Sequence, residues 1–326
     1  MTETKPILPR PPLVPANGQV VTVVGATGAL GGHIVEALLD RGVQVRAFVR
    51  ATSDRTRLKA LGVTDFVVGD LNDADSLERA LAQEPRAAAV IASAAGFSAH
   101  SARTKGDNSK ADTEGYRSLV DAARAADIPR FILISILGCD RAPGIPHFRQ
   151  KFETEQYLAK THQPYLALRA GAFLDRSRDI VPEKLTKGVF PDILPGVPMA
   201  IVYSRDLARY AVRAALDLPG SAMNQSIDIG SDTPATGAVV ADSFTKALGR
   251  PIMAKPVIPG PLAPFLPLVG LVMPRLRDQL AVMKWLRKGG YVSRDPQKQK
   301  RLFGELPSIE ETVTRYCRDK GLVPSA

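Results

Sequence analysis

Val20-Val21-Thr22-Val23-Val24-Gly25-Ala26-Thr27-Gly28-Ala29-Leu30-Gly31 is the stretch on which the fold reading turns. A mostly apolar strand pattern runs into a helical one, with glycines at the first, fourth and seventh places of the turn. Glycine lets the backbone turn tightly there, and a diphosphate can then rest against helix N–H groups that have no partner in the first turn. This is a dinucleotide-fold signature whose spacing differs from the commonest GxGxxG form. The same residues would also serve as a glycine-rich turn in an α/β protein of another kind.

The flanking sequence favours the first reading. Strands are expected at 20–24, 43–49, 63–68, 87–94 and 131–136, with helices at 30–39, 54–61, 73–83 and 112–126 between them. Strands alternating with helical stretches specify a parallel sheet covered on both faces. The polar segment His100–Lys110 reads as a loop, followed later by a helix at 147–160 and a strand at 165–168. Glycines and prolines crowd 182–198, which predicts loops and a smaller lobe. A helix at 204–218, a short strand at 226–229 and a helix at 237–248 resume the pattern. The fold class is α/β: a Rossmann-type doubly wound parallel sheet with a smaller C-terminal substrate or lid lobe. The expected division is a proline-rich leader at 1–18, a nucleotide-binding core at 19–175, and a mixed region at 176–326 that returns to the core at about 204–249.

A chain of 326 residues can bury a large core, and its formal charge of +10 favours anionic partners. No recognisable nucleic-acid module accompanies that charge, so no specific nucleic-acid partner is expected. Two cysteines make no disulfide framework, and four scattered histidines show no metal-ligand spacing. The leader holds five prolines and lacks the apolar core of a secretory signal, so a cytoplasmic location is expected. Pro256–Pro274 has no charge over nineteen positions but contains six prolines, which would break a membrane span. It reads as an apolar lid over a substrate pocket, with a peripheral membrane contact, an oligomer contact or ordinary core as alternatives.

With these landmarks the chain resembles the atypical short-chain dehydrogenase/reductases, especially the NmrA-like and extended-type NAD(P)-binding proteins. The resemblance runs from about 20 to 250 and rests on Gly25–Gly31, Gly69-Asp70, Ser93-Ala94-Ala95-Gly96, Phe131–Ser135, Arg169-Ala170-Gly171 and Tyr203–Ala208. It implies the fold and cofactor class. It leaves the substrate open, because reductases, epimerases, dehydratases and inactive redox sensors share these features.

An NAD site usually has an acidic side chain at the end of the second strand. This chain has Arg50 there, with Arg46 earlier in the strand and Arg55 just beyond. A guanidinium fork matches a 2′-phosphate in charge and shape, so NADP(H) is the expected cofactor. Gly25, Thr27, Gly28, Ala29, Leu30 and Gly31 form the expected diphosphate turn, and Ala94, Ala95 and Gly96 leave room beside the fourth strand. The resemblance implies that Asp70, followed by Leu71, approaches the adenine edge; capping of the next turn is the local alternative.

The family often pairs a serine after the fifth strand with a tyrosine four residues before a lysine. Here Ser135 and Lys151 match, but the position four before the lysine is His147. His147 and Lys151 should share a helix face, begun by Pro146. Lys151 is expected at the nicotinamide ribose, His147 as proton donor or acceptor, and Ser135 as a group that orients a substrate oxygen. A helix-start role for His147 and a surface pair between Lys151 and Glu155 are the structural alternatives. The expected activity is NADP(H)-dependent reduction of a carbonyl or conjugated double bond in an apolar small molecule. The alternatives are an NADP(H)-sensing regulatory protein and a sugar-nucleotide epimerase or dehydratase. Phe173, Phe190, Phe265, Trp285 and Tyr291 are candidate substrate walls, and a homo-oligomer is compatible with the sequence.

Overall fold

β1 (Val20–Val24) is buried at every position, as a strand covered on both faces must be. It lies near the middle of a seven-stranded sheet in the computed structural model, which describes residues 18–95, 110–142, 144–175, 180–257 and 274–323. The expected leader (apart from Gly18), Gly96, residues 100–109, the apolar stretch 258–273 and Phe265 lie outside the described residues.

The first half of the chain alternates as its apolar spacing predicts. After β1 come α1 (Ala29–Leu39), β2 (Gln44–Val49), α2 (Thr56–Ala60), β3 (Asp65–Val68), α3 (Ala74–Leu81) and β4 (Ala87–Ala92). Then follow α4 (Tyr116–Ala125), β5 (Phe131–Ile136), α5 (Pro146–Thr161) and β6 (Tyr165–Ala170). The helix expected from 112 opens instead with one π-helical turn, Ala111–Gly115. There Gly115 lies so close to Leu71 that a Cβ would come within 2.7 Å of the Leu71 carbonyl oxygen.

The second half adds β7 (Ala172–Phe173), α6 (Val181–Thr186), β8 (Val189–Asp192), β9 (Ile201–Val202), α7 (Ser204–Leu216), β10 (Gln225–Ile229), α8 (Gly237–Leu248) and β11 (Met253–Pro256). Three helices end the described chain: α9 (Pro274–Arg287), α10 (Gln297–Phe303) and α11 (Ile309–Asp319). The loops expected over 182–198 are thus partly α6 and β8. Pro182 sits in the first turn of α6, where a missing N–H costs nothing.

The sheet order is β10-β6-β5-β4-β1-β2-β3, and the run from β5 through β4, β1 and β2 to β3 pairs in parallel. Strand order reverses between β1 and β4, where doubly wound sheets open a crevice at their carboxyl ends. The chain divides into two compact units: Met1–Ile134, Glu153–Leu168 and Ala208–Ser226 form the first, and Ser135–Phe152, Arg169–Leu207 and Ile227–Ala326 the second.

The first unit packs Phe48, Leu77, Tyr116, Leu119, Phe131 and Leu158 into one apolar cluster. In the second unit, one cluster gathers Tyr203, Phe244, Val313 and Tyr316, and another gathers Cys139, Ile145, Phe148 and Trp285. Asp206 anchors α7 to α11: Arg315 donates to its carboxylate at 3.1, 3.2 and 2.8 Å. The Ser204 N–H donates to Asp175 at 2.9 Å, and the Ser204 hydroxyl donates to the other oxygen of that carboxylate. These contacts give the Tyr203–Ala208 landmark a structural purpose.

Arg46, four residues before Arg50, has a structural role. It is 1 % exposed in β2, and its guanidinium donates to Asp65 at 3.0 Å and to the carbonyls of Gln83 and Glu84 at 2.7 and 3.3 Å. These three acceptors occupy the guanidinium, so Arg46 ties β2 to β3 and to the α3–β4 turn rather than joining an anion site. Arg46→Ala should lower stability by about 3 kcal/mol, because an acid and two carbonyls lose a shared donor. Urea unfolding measures this, and a loss below ~0.5 kcal/mol would contradict the buried tie.

Candidate active site

In the first unit the glycine turn is closed by backbone. Gly25 has φ +89°, and a Cβ there would lie 2.6 Å from the Ala94 nitrogen. A Cβ on Gly31 would lie 2.0 Å from the Gly25 carbonyl oxygen. The Gly28 N–H donates to that same carbonyl at 3.0 Å. Gly28 is the N-cap of α1 without a side-chain cap, and the first helical turn has no acidic residue. The helix therefore starts with free backbone donors and no competing carboxylate. Thr27, Gly28 and Ala29 are exposed beside it, Leu30 is half-buried and Gly31 is buried.

The ends of the neighbouring strands lie on the same sheet edge. Arg50 follows β2, exposed and without an ion-pair partner among the described residues. Arg55 instead stacks over Phe66, 5.6 Å from the ring centre. Asp70 Oδ1 accepts from the Asn72 N–H at 2.8 Å and from the Asn72 amide at 3.1 Å, so it does perform the local turn role. Its other oxygen accepts no hydrogen bond among the described residues. Leu71 is half-buried against the first core. Ala94 is half-buried, its carbonyl accepting from the Tyr116 hydroxyl, and Ala95 is exposed.

The second unit contains Ser135, His147 and Lys151. Ser135 is buried at the end of β5, with its Oγ 3.7 Å from the Cys139 Sγ. Pro146 opens α5, and His147 and Lys151 follow on one helix face. Lys151 is 5 % exposed, so the solvated surface pair with Glu155 is not its setting. Glu155, also buried, accepts from the Ser226 hydroxyl at 2.7 Å. Tyr157 does not replace the missing tyrosine, because its hydroxyl donates to Asp121 at 2.8–2.9 Å.

His147 lines a cavity of about 260 Å³ with Phe148, Phe173, Met199, Leu286 and Tyr291 among its walls. Two of the candidate wall residues, Phe173 and Tyr291, line this cavity. Phe190 does not: it packs on Phe244 in a separate core, 5.6 Å between ring centres. Trp285 stands behind the lining, 5.0 Å from Phe148 and 6.0 Å from Tyr291. Met199 and Leu286 carried no sequence signal beyond apolarity. Among the described residues, no group of three or more His, Cys, Asp or Glu side chains is placed to hold a metal, and no helix is long and apolar enough to cross a membrane.

A model of the NmrA-like family matches residues 17–272. The chain belongs to the NmrA-like family. The photosystem II assembly factor Ycf39 of Synechocystis sp. is 31% identical over 196 residues, covering 60% of this chain and 57% of that protein. A ceramide reductase of Caulobacter vibrioides is 36% identical over 129 residues, covering 40% and 38%. The match therefore spans little more than half of the first relative and well under half of the second. Among solved structures, the NADPH-dependent quinone oxidoreductase of Escherichia coli, complexed with NADPH, aligns with a TM-score of 0.66 at 23% identity, covering 91% of this chain and 99% of that one. The Citrobacter sp. triphenylmethane reductase complexed with NADP(H) aligns at 0.66 and 23%, covering 90% and 99%. These likenesses establish the fold.

Within this NmrA-like chain, two glycines set the back of the cavity. A Cβ on Gly290 would lie 2.3 Å from the Trp285 indole, and one on Gly138, at φ +75°, would lie 2.7 Å from it. Gly290→Ala should therefore displace Trp285. Its emission maximum should shift, a direct readout because the chain has one tryptophan. Gly220→Ala, with nothing within 4 Å of the new methyl, should leave emission unchanged.

Proposed function

We propose that this protein is an NADP(H)-dependent oxidoreductase that reduces a carbonyl or conjugated double bond in an apolar small molecule. The observation that carries the reading is the cavity of the second unit, whose apolar lining includes an imidazole, His147. It stands in a chain that also has a backbone turn fitted to a diphosphate. The fit to the cofactor rests on the uncapped start of α1, the space that a Cβ at Gly25 or Gly31 would fill, and the exposed Arg50, which has no ion-pair partner among the described residues.

In this reading the backbone from Gly25 to Gly31 holds the diphosphate and Arg50 forks onto the 2′-phosphate. The second oxygen of Asp70 accepts from the adenine amine, with Leu71, Ala94, Ala95 and Gly96 beside it. Lys151 holds the nicotinamide ribose, Ser135 orients the substrate oxygen, and His147 delivers its proton. The bound cofactor supplies the hydride. The C-terminal half of the chain supplies the substrate lobe, the location is cytoplasmic, and no specific nucleic-acid partner is involved.

Two observations favour a second reading, a cofactor-sensing protein without catalysis: the histidine at 147 and the assembly-factor name of a relative. Titration with NADPH and NADH, followed by NADPH oxidation assays with aromatic ketones and enones, separates the two. Wild type should prefer NADPH, and Arg50→Ala should lose that preference by roughly 10- to 100-fold, as expected for a hydrogen bond between charged groups. His147→Ala should slow turnover by about 100-fold while nucleotide binding stays intact. Binding without turnover would favour sensing, and binding of neither nucleotide would overturn both readings.

A further inference from the structure

Among the described residues the cavity walls contain two polar side chains, and the reductase reading has used only His147. The other is Tyr291, which follows α9 and lies far from the glycine turn in sequence. Its backbone is held from both sides: the Ala200 N–H donates to the Tyr291 carbonyl at 2.9 Å, and Arg141 donates to the Val292 carbonyl at 3.0 Å. Its ring is wedged between Phe148, 6.1 Å away, and Trp285, 6.0 Å away, measured between centres. The side chain is thus aimed by packing, yet its hydroxyl has no hydrogen-bond partner among the described residues. Nor is that oxygen among the polar atoms sealed in the interior without a partner. An accessible donor on a wall built otherwise of apolar groups and one imidazole is a recognition element for an oxygen.

We infer that the Tyr291 hydroxyl is the hydrogen-bond donor for the single oxygen of a one- or two-ring apolar substrate, of the aromatic ketone class, in the His147–Tyr291 cavity. The inference rests on the reductase reading for the word substrate, and on geometry alone for the binding. Size selects the class, since about 260 Å³ lies below the usual range for drug-sized ligands. Three aromatic walls, Phe148, Phe173 and Tyr291, suit a flat ring. A phenol is protonated at neutral pH, and the packing that shields the Tyr291 ring from water pushes its hydroxyl further up, so it acts as a donor. Tyr291 binds the oxygen and transfers no proton; that role stays with His147. The phenol that position 147 lacks is thereby supplied from the C-terminal part of the chain.

Trp285, the sole tryptophan, reports occupancy without turnover. The purified chain, free of nucleotide, is titrated with 1-acetonaphthone and with 1-ethylnaphthalene, a similar shape lacking the oxygen, while Trp285 emission is followed. Wild type should bind the ketone more tightly than the hydrocarbon. Tyr291→Phe should lower that preference by about tenfold and leave hydrocarbon binding and thermal unfolding unchanged. A preference that survives Tyr291→Phe, or that His147→Ala abolishes in its place, overturns the assignment. So does failure of both compounds to bind the wild type. A preference that Tyr291→Phe removes supports the assignment even where no NADPH is oxidised, a result that would count against the reductase reading alone.

Discussion

The closest constraint in the first unit is the contact between Gly31 and the Gly25 carbonyl, where a Cβ would lie 2.0 Å from oxygen. No side chain fits in that gap, so α1 can begin directly against the end of β1. The approach has three consequences. The first-turn N–H groups of α1 stay uncapped by any side chain. Gly25 can press against Ala94 at the end of β4, at the place where strand order reverses. The Tyr116 hydroxyl then holds the Ala94 carbonyl, joining that edge to α4. The anion-binding character of the turn is a property of backbone, made possible by missing side chains.

The second unit uses the same device for a different end. Gly138 and Gly290 leave a slot that the Trp285 indole fills, and the indole supports Phe148 and Tyr291 from behind. Charged groups are spent on the frame instead: Asp206 receives Arg315, and Asp140 pairs with Arg169 at 3.0 Å. Among the described residues the cavity wall is apolar except at two polar side chains, His147 and Tyr291. In such a setting one well-placed donor discriminates strongly, because leaving it unpaired costs more than an equivalent loss in water.

Two arginines of β2 and its end show how local sequence can mislead. Arg46 and Arg50 lie four residues apart, the first within the strand and the second at its end. Arg46 is consumed by Asp65 and by the Gln83 and Glu84 carbonyls, while Arg50 is exposed. The strand end singles out Arg50, but nothing within 46–50 encodes the buried partners of Arg46. These lie nineteen or more positions away in the chain.

The sequence by itself determined the alternation from Val20 to Ile136, because short apolar runs rich in β-branched residues, separated by helical spacing, suit the strands of a parallel sheet. It also determined the glycine turn, since the positions that need a missing Cβ are read directly as Gly25, Gly28 and Gly31. It hid α6 and β8, where glycines and prolines look like loop and only the position of Pro182 in a first turn permits a helix. Tertiary structure alone decided that Arg46 is consumed by Asp65 and two carbonyls, that Phe190 joins one core while Phe173 lines the cavity, and that Tyr291 and His147 share its walls. The physical reason is common to all of these. Periodicity reports how a segment satisfies its own backbone, whereas burial, pairing and cavity walls depend on distant segments that local spacing does not encode.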